Sequence, residues 1–202
     1  MDFAAPHQDI LDYWLGDSEA VWPPRALARR WFISTPEQDL EIAEYFGDRV
    51  QAALARELVE WEREAPSRLA LILLLDQFTR NMFRGTAHAF AGDHRAATLT
   101  LEGISTGMDR RLPWAGQVFF YMPLMHAEDL DLQKHGEHCY ADLQQRAPEA
   151  LKDAIGNNLK FATEHRRIIE RFGRFPHRNR VLGRDSSAEE QAFLETGKTY
   201  GL

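Results

Sequence analysis

Seven apolar residues in a row, Leu69 to Leu75, run without a turn signal into Asp76, Gln77, Arg80, Asn81 and Arg84. Seven residues go right round a helix, so this stretch predicts a central helix with no solvent face. It is far shorter than the roughly 20 apolar residues that a membrane span needs. Pro66 marks its first turn, the helix runs to about Asn81, and Gly85 turns the chain. The polar residues at its end cannot all reach water from a helix enclosed by protein. A buried carboxylate or guanidinium must be paired and hydrogen-bonded, because removing its partner is strongly destabilising. The rest of the chain therefore has to supply partners for this polar end.

Helical spacing recurs on both sides. Ile10, Leu11, Trp14 and Leu15 form a first stripe, which Gly16 stops, and a loop with Pro23-Pro24 follows. Thr35-Pro36-Glu37-Gln38 reads as a capping box with Gln38 reaching back, and Leu40, Ala43 and Phe46 as the stripe behind it. After Gly47, the residues Val50, Leu54, Leu58 and Trp61 predict a separate helix. Others are predicted from Phe90 to Ser105, from Pro113 with Pro123 kinking or splitting it near Met122, over 128–146, and from Pro148 to Phe172. Ser187-Ala188-Glu189-Glu190 is a second capping box opening a short C-terminal helix. No segment has the alternation of a strand. The pattern predicts a single all-α domain over residues 1–202, of about eight to ten helices, mostly antiparallel hairpin neighbours.

Composition changes this picture little, and charge distribution more. The 202 residues carry a formal charge of −7 with 27% charged residues. That balance is ordinary for a globular chain and argues against nucleic acid as a partner. Within residues 165 to 184, however, seven arginines face one acid, Glu170, a local +6 that leaves −13 on the remainder. Arginine is the better bidentate partner for carboxylate or phosphate. One cysteine, Cys139, allows no internal disulfide, and the N-terminal stretch from Met1 to Asp9 lacks the pattern of a signal peptide. The expectation is a cytoplasmic protein with no membrane partner.

Three polar clusters stand against the apolar background. Asp76 and Arg80 are four apart, acid first, the favourable orientation along a helix, with Gln77, Asn81 and Arg84 in the adjacent row. His126, Glu128 and Asp129 sit at a junction of two helices, where Asp129 is close enough in sequence to orient the His126 ring. Alternatively Glu128, and less so Asp129, simply favours the N-terminus of the next helix through its dipole. His165 shares a stripe with Ile168, Ile169 and Phe172, and Arg171, Arg174, His177, Arg178 and Asn179 surround a glycine and a proline in a shaped loop. Phe78-Thr79-Arg80-Asn81 is echoed by Phe175-Pro176-His177-Arg178-Asn179. His135-Gly136-Glu137-His138 has no second carboxylate-histidine pair to complete a metal site, and no phosphate loop or nucleophile elbow is present. No metal and no cofactor is expected.

The clusters resemble the domain of unknown function 924 family, found widely in bacteria. The resemblance rests on Leu74 to Gly85, on Tyr121 to Asp129, and on His165 with Arg171 to Asn179, and covers nearly the whole chain. Where that family usually has proline and serine, this chain has Thr79 and Ala127. The resemblance implies a tetratricopeptide-like superhelix of paired helices and carries no activity. Three functions stay open. The first is a binding protein taking an anionic small molecule or an acidic peptide through Asp76, Arg80, Asn81, Arg84, Arg171, Arg174, His177, Arg178 and Asn179. The second is a hydrolase-type enzyme using His126, Asp129, His165 and His177 as acid and base. The third is a purely structural or interaction protein in which each cluster is closed on itself.

Overall fold

The computed structural model describes residues 6–17, 20–31, 33 and 35–196, so the first five residues of the N-terminal stretch lie outside it. Helices α1 (Gln8–Leu15), α2 (Arg25–Arg30) and α3 (Pro36–Leu54) lead to the central helix. That helix is α4 (Ala65–Leu73), a π-helical turn (Leu74–Phe78) and α5 (Thr79–Met82) in unbroken succession. Then follow α6 (Asp93–Ser105), α7 (Trp114–His126), α8 (Leu130–Arg146), α9 (Glu149–Phe172) and α10 (Ala188–Thr196). The described residues contain no strand, and the protein is all-α. None of its described helices is long and apolar enough to cross a membrane.

Every residue from Ser67 to Thr79 is buried, and so is every residue of α7 from Ala115 to Met125. Two helices without a polar face can only lie inside a shell of one-sided ones, and α1, α3, α6 and α8 pack around them. Burying each large apolar side chain of this pair contributes about 1.5–3 kcal/mol relative to exposure. Short connections make α7 and α8, and then α8 and α9, antiparallel neighbours.

Pro123 does not split α7, which runs unbroken to His126. Neighbouring side chains serve the backbone around it: Tyr140 OH donates to Val118 O at 2.8 Å and Thr100 Oγ1 to Phe120 O at 2.9 Å. Other boundaries also moved. α3 continues through Gly47 to Leu54, because Ile42, Phe46, Val50 and Ala53 form one uninterrupted face. Leu40 lies off that face and is 71% exposed. The second helix expected around Leu58 and Trp61 is only a 3-10 turn, Val59–Glu62, following Arg56 in the left-handed region at φ 62. A 3-10 turn, Ala87–Phe90, likewise precedes α6, which starts at Asp93 and not at Phe90. Thr35 caps α3 as expected, but the Gln38 side chain turns to Arg30 O at 3.2 Å. The Ser187 box closes reciprocally with Glu190, at 2.7 and 3.2 Å.

The π turn sits where apolar sequence gives way to polar. Thr79 N–H donates to Leu74 O, one residue further back than in an α-helix, and Thr79 Oγ1 donates to Leu75 O at 2.8 Å. A proline here would remove the first bond. Gly92 then brings its backbone against the Leu75 carbonyl so closely that an added Cβ would collide with it. Gly92→Ala is expected to cost about 1–3 kcal/mol, as overpacking does. Gly47→Ala, within α3 and 3.5 Å from Met82 Cε, should instead gain about 0.5–1 kcal/mol. Urea denaturation of the two variants gives the comparison, and midpoint shifts of the same sign would contradict the close approach.

Candidate functional site

The three polar clusters meet. Asp76 points inward from the π turn with 1% of its surface exposed, and its Oδ1 lies 2.7 Å from Nδ1 of His126, the last residue of α7. Gln77 Nε2 donates to the other carboxylate oxygen. Arg80, one turn on, reaches Asp76 Oδ1 at 3.3 Å and donates to its carbonyl at 2.6 Å. The main partner of Arg80 is Asp93, in the first turn of α6, which it grips with both terminal nitrogens at 2.8 and 2.9 Å.

The loop after α9 closes the ring. Gly173, at φ +70, ends α9, and the 3-10 turn Pro176–Arg178 brings Arg178 back over the end of the central helix. Arg178 Nη1 donates to Asp93 Oδ2 at 3.1 Å and Nη2 to His126 O at 3.0 Å. Its guanidinium carbon lies 4.5 Å from the Phe90 ring centroid and 4.6 Å from that of Phe175. The sequence echo thus has a spatial meaning: Arg80 and Arg178 both end on Asp93, and both lie over Phe90. His165 lies beside His126, ring centroids 6.3 Å apart, and its Nδ1 bonds Phe161 O at 2.7 Å. His177 lies against Phe175.

Other candidates are held elsewhere. Asp129 does not orient His126; its carboxylate caps α8, accepting from the Asp131 and Leu132 amides at 2.9 Å each. The buried acid Asp76 takes that role, since it is already forced to find a partner. Glu128 does not serve the helix terminus, and instead accepts from Phe175 N at 2.7 Å and from Arg184 at 2.6 and 2.9 Å. Asn81 and Arg84 both turn to Asp39 in α3, at 2.8 and 2.9 Å. Arg171 pairs with Glu189 and Arg174 with Glu190, while Asn179 bonds Ser186 and Arg184. Asp93, Phe90 and Arg184 carry the network and were not singled out by sequence. For Asp93 the one available sign was an acid directly after a glycine at a helix start, which is too common to single it out.

The network is charge-balanced: Asp76, Asp93 and Glu128 oppose Arg80, Arg178 and Arg184. Burial pushes the Asp76 carboxyl up, but His126 and Arg80 outweigh it and hold the group below the usual carboxylate range. Burial lowers His126, which Asp76 only partly offsets, so this ring is neutral at pH 7 and its Nδ1–H donates to the ionised carboxylate. Burial, then His126, brings His165 down to about 3; burial, then Arg178, brings His177 down to about 4. Burial and Arg80 push Arg178 down to about 10, still protonated at pH 7. Among the described residues no group of three or more histidines, cysteines and acids is placed to hold a metal ion.

A cavity of about 210 Å³ lies elsewhere, lined by Asp109, Arg110, Tyr121, His135, His138, Cys139 and Asp142 among others. Arg110 and Tyr121 already occupy its two carboxylates, and burial pushes the Cys139 thiol up to about 12. The chemistry converges on the Asp76 ring and not on this cavity.

Residues 10–198 match the model of a family described as a bacterial protein of unknown function, DUF924. The chain belongs to the DUF924 family. A solved structure similar to this DUF924 chain is that of a protein of unknown function, ATU0120, from Agrobacterium tumefaciens. The two share 41% sequence identity and a TM-score of 0.79, over 95% of this chain and 97% of that one. No curated protein matches.

Two outcomes follow for this DUF924 site. Asp76→Ala leaves Arg80 and His126 without their buried acceptor and should cost about 3–5 kcal/mol, read as a shift in the denaturation midpoint. A midpoint equal to the parent's would contradict the buried pairing. His165 and His177 are neutral when folded, whereas in the unfolded chain they protonate below about 6.5. The stability they confer is complete above about pH 6.5 and falls as pH drops towards 4 and 3, by about 1.4 kcal/mol per pH unit for each histidine. Midpoints at pH 7.5, 6 and 5 should decline, and His165→Asn with His177→Asn should flatten the decline.

Proposed function

We propose that this chain is a hydrolase-type enzyme in which His126 is the general base and Asp76 the group that positions it. One observation carries this: a buried ionised carboxylate bonds Nδ1 of a neutral histidine whose side chain keeps 17% of its surface. No hydrogen bond engages Nε2 of that ring among the described residues. Nε2 then takes a proton from water as the water oxygen attacks, and returns it to the leaving group. Asp76 fixes the tautomer and offsets the positive charge that forms on the ring. His165 and His177, neutral neighbours, give the site hydrogen-bonding capacity without net charge. Asp129, used as a cap, has no part in it.

A second reading, binding of an anionic small molecule or an acidic peptide, is favoured by Arg171 and Arg174. Both are used to grip glutamate carboxylates near the surface. It fits the tetratricopeptide-like stacking that the family resemblance implies. Arg80, Arg178 and Arg184 give it less support, because they lie further inward among the acids they pair with.

A panel of p-nitrophenyl esters, phosphate esters and anilides tests the first reading. The expected activity is level through pH 7 and falls only below the ordinary histidine range, since the base must be neutral. His126→Gln should lower kcat about 10²–10⁴-fold while the protein remains folded by circular dichroism. Turnover of the variant at the parent rate, or of no compound in the panel, would leave the Asp76 ring as a packing tie.

A further inference from the structure

The C-terminal helix is attached differently from the rest of the shell. Phe193 of α10 packs on Phe172, ring centroids 5.2 Å apart, within a small cluster around Ile168, Ile169 and Phe175 that is separate from the main core. Ionic ties join it to the same stretch. Arg171 donates through Nε and Nη2 to Glu189 Oε1 at 2.9 and 2.7 Å, and Arg174 grips both oxygens of Glu190 at 2.7 and 2.8 Å. The Arg171 and Glu189 side chains are 53% and 63% exposed, so that pair holds weakly, and Glu190, which is buried, is the main ionic anchor. A helix of nine residues is marginal without its contacts, and an element with so small an apolar footprint opens before the core does. What it uncovers is a basic and aromatic face within the stretch that carries +6.

We propose that Arg171, Phe172 and Arg174 form a docking face for an acidic helical segment of another protein, and that α10 occupies this face in cis as a displaceable plug. The plug itself defines the chemistry of the partner: two adjacent carboxylates in the first helical turn, and an aromatic residue one turn later on the same side. This inference rests on the binding reading and is independent of the acid–base one. Docking also bears on the polar ring. Arg174 holds Asp185 O at 2.8 Å, and the neighbouring Arg184 holds Glu128, so displacing the plug pulls on the segment that packs over His126.

The probe is a fluorescein-labelled synthetic peptide with the sequence of residues 185–196, titrated against the full chain by anisotropy. In the parent, α10 competes and raises the apparent Kd by the inverse of the fraction open. Glu190→Arg places like charge against Arg174, releases the plug, and should tighten peptide binding at least tenfold. Arg174→Glu should abolish binding. If Glu190→Arg lacks a cooperative unfolding transition, Phe193→Ala, which removes only the ring contact, serves in the same comparison and should still tighten binding. Equal peptide affinity for the parent and the released variant, or undiminished binding to Arg174→Glu, overturns the proposal. A parallel titration with inorganic phosphate separates the two levels. Phosphate binding without peptide binding to the released variant keeps the anion-binding reading and overturns the docking face. Loss of both overturns both.

Discussion

One carboxylate sets the terms for this fold. Asp76 follows directly on a helix that is apolar all round, and such a helix is stable only when enclosed. Enclosure removes the acid from water, and a desolvated carboxylate is tolerable only with opposite charge and hydrogen bonds close by. Each neighbour that answers this demand creates another. Arg80 serves Asp76 and needs Asp93; Asp93 accepts Arg178 as well; Arg178 is itself buried and needs the His126 carbonyl and two aromatic faces. The chain of requirements closes at His126, which bonds Asp76. The central helix, α6, α7 and the turn after α9 are thereby fixed to one another by a ring with no net charge.

That ring explains what sequence could and could not reveal. The apolar run, the polar residues at its end and the arginine-rich loop are visible as patterns, and burial alone requires that they find partners. Their meeting is therefore foreseeable. The pairing is not. Asp129 is three residues from His126 and looked its natural partner, but it precedes a helix whose first amides need an acceptor, and that local demand wins. Asp39 takes Asn81 and Arg84, and Asp93 takes Arg80 and Arg178, yet neither acid stands out among thirty-one. Long-range partners depend on how helices cross, which no local spacing encodes. The same limit applied to α3, where Leu40 and Ala43 suggested one face and the packing of Ile42, Phe46 and Val50 selected another.

The balance of charge also separates this site from an ordinary basic pocket. Three acids and three arginines cancel within the network, and the three histidines beside it are neutral at pH 7. Much of the positive character of residues 165 to 184 is paired with carboxylates of the same chain, at the rim as well, where Arg171 and Arg174 hold α10. The interior pairs its charges out of water, and the rim pairs them at the surface.

The π turn acts as a phase shifter within the central helix. Inserting one residue into a helix advances everything beyond it by about 100°, relative to where a continuous α-helix would point it. Through Leu74–Phe78 the central helix changes its bearing at the point where its side chains change from apolar to polar. Beyond the turn, Arg80 is aimed at α6 while Asn81 and Arg84 are aimed at α3. A chain shorter by one residue within the turn would keep its hydrophobic core and lose both directions at once. The single extra residue makes the buried half and the wired half of one helix independent in orientation, so that either can be packed without dictating the other.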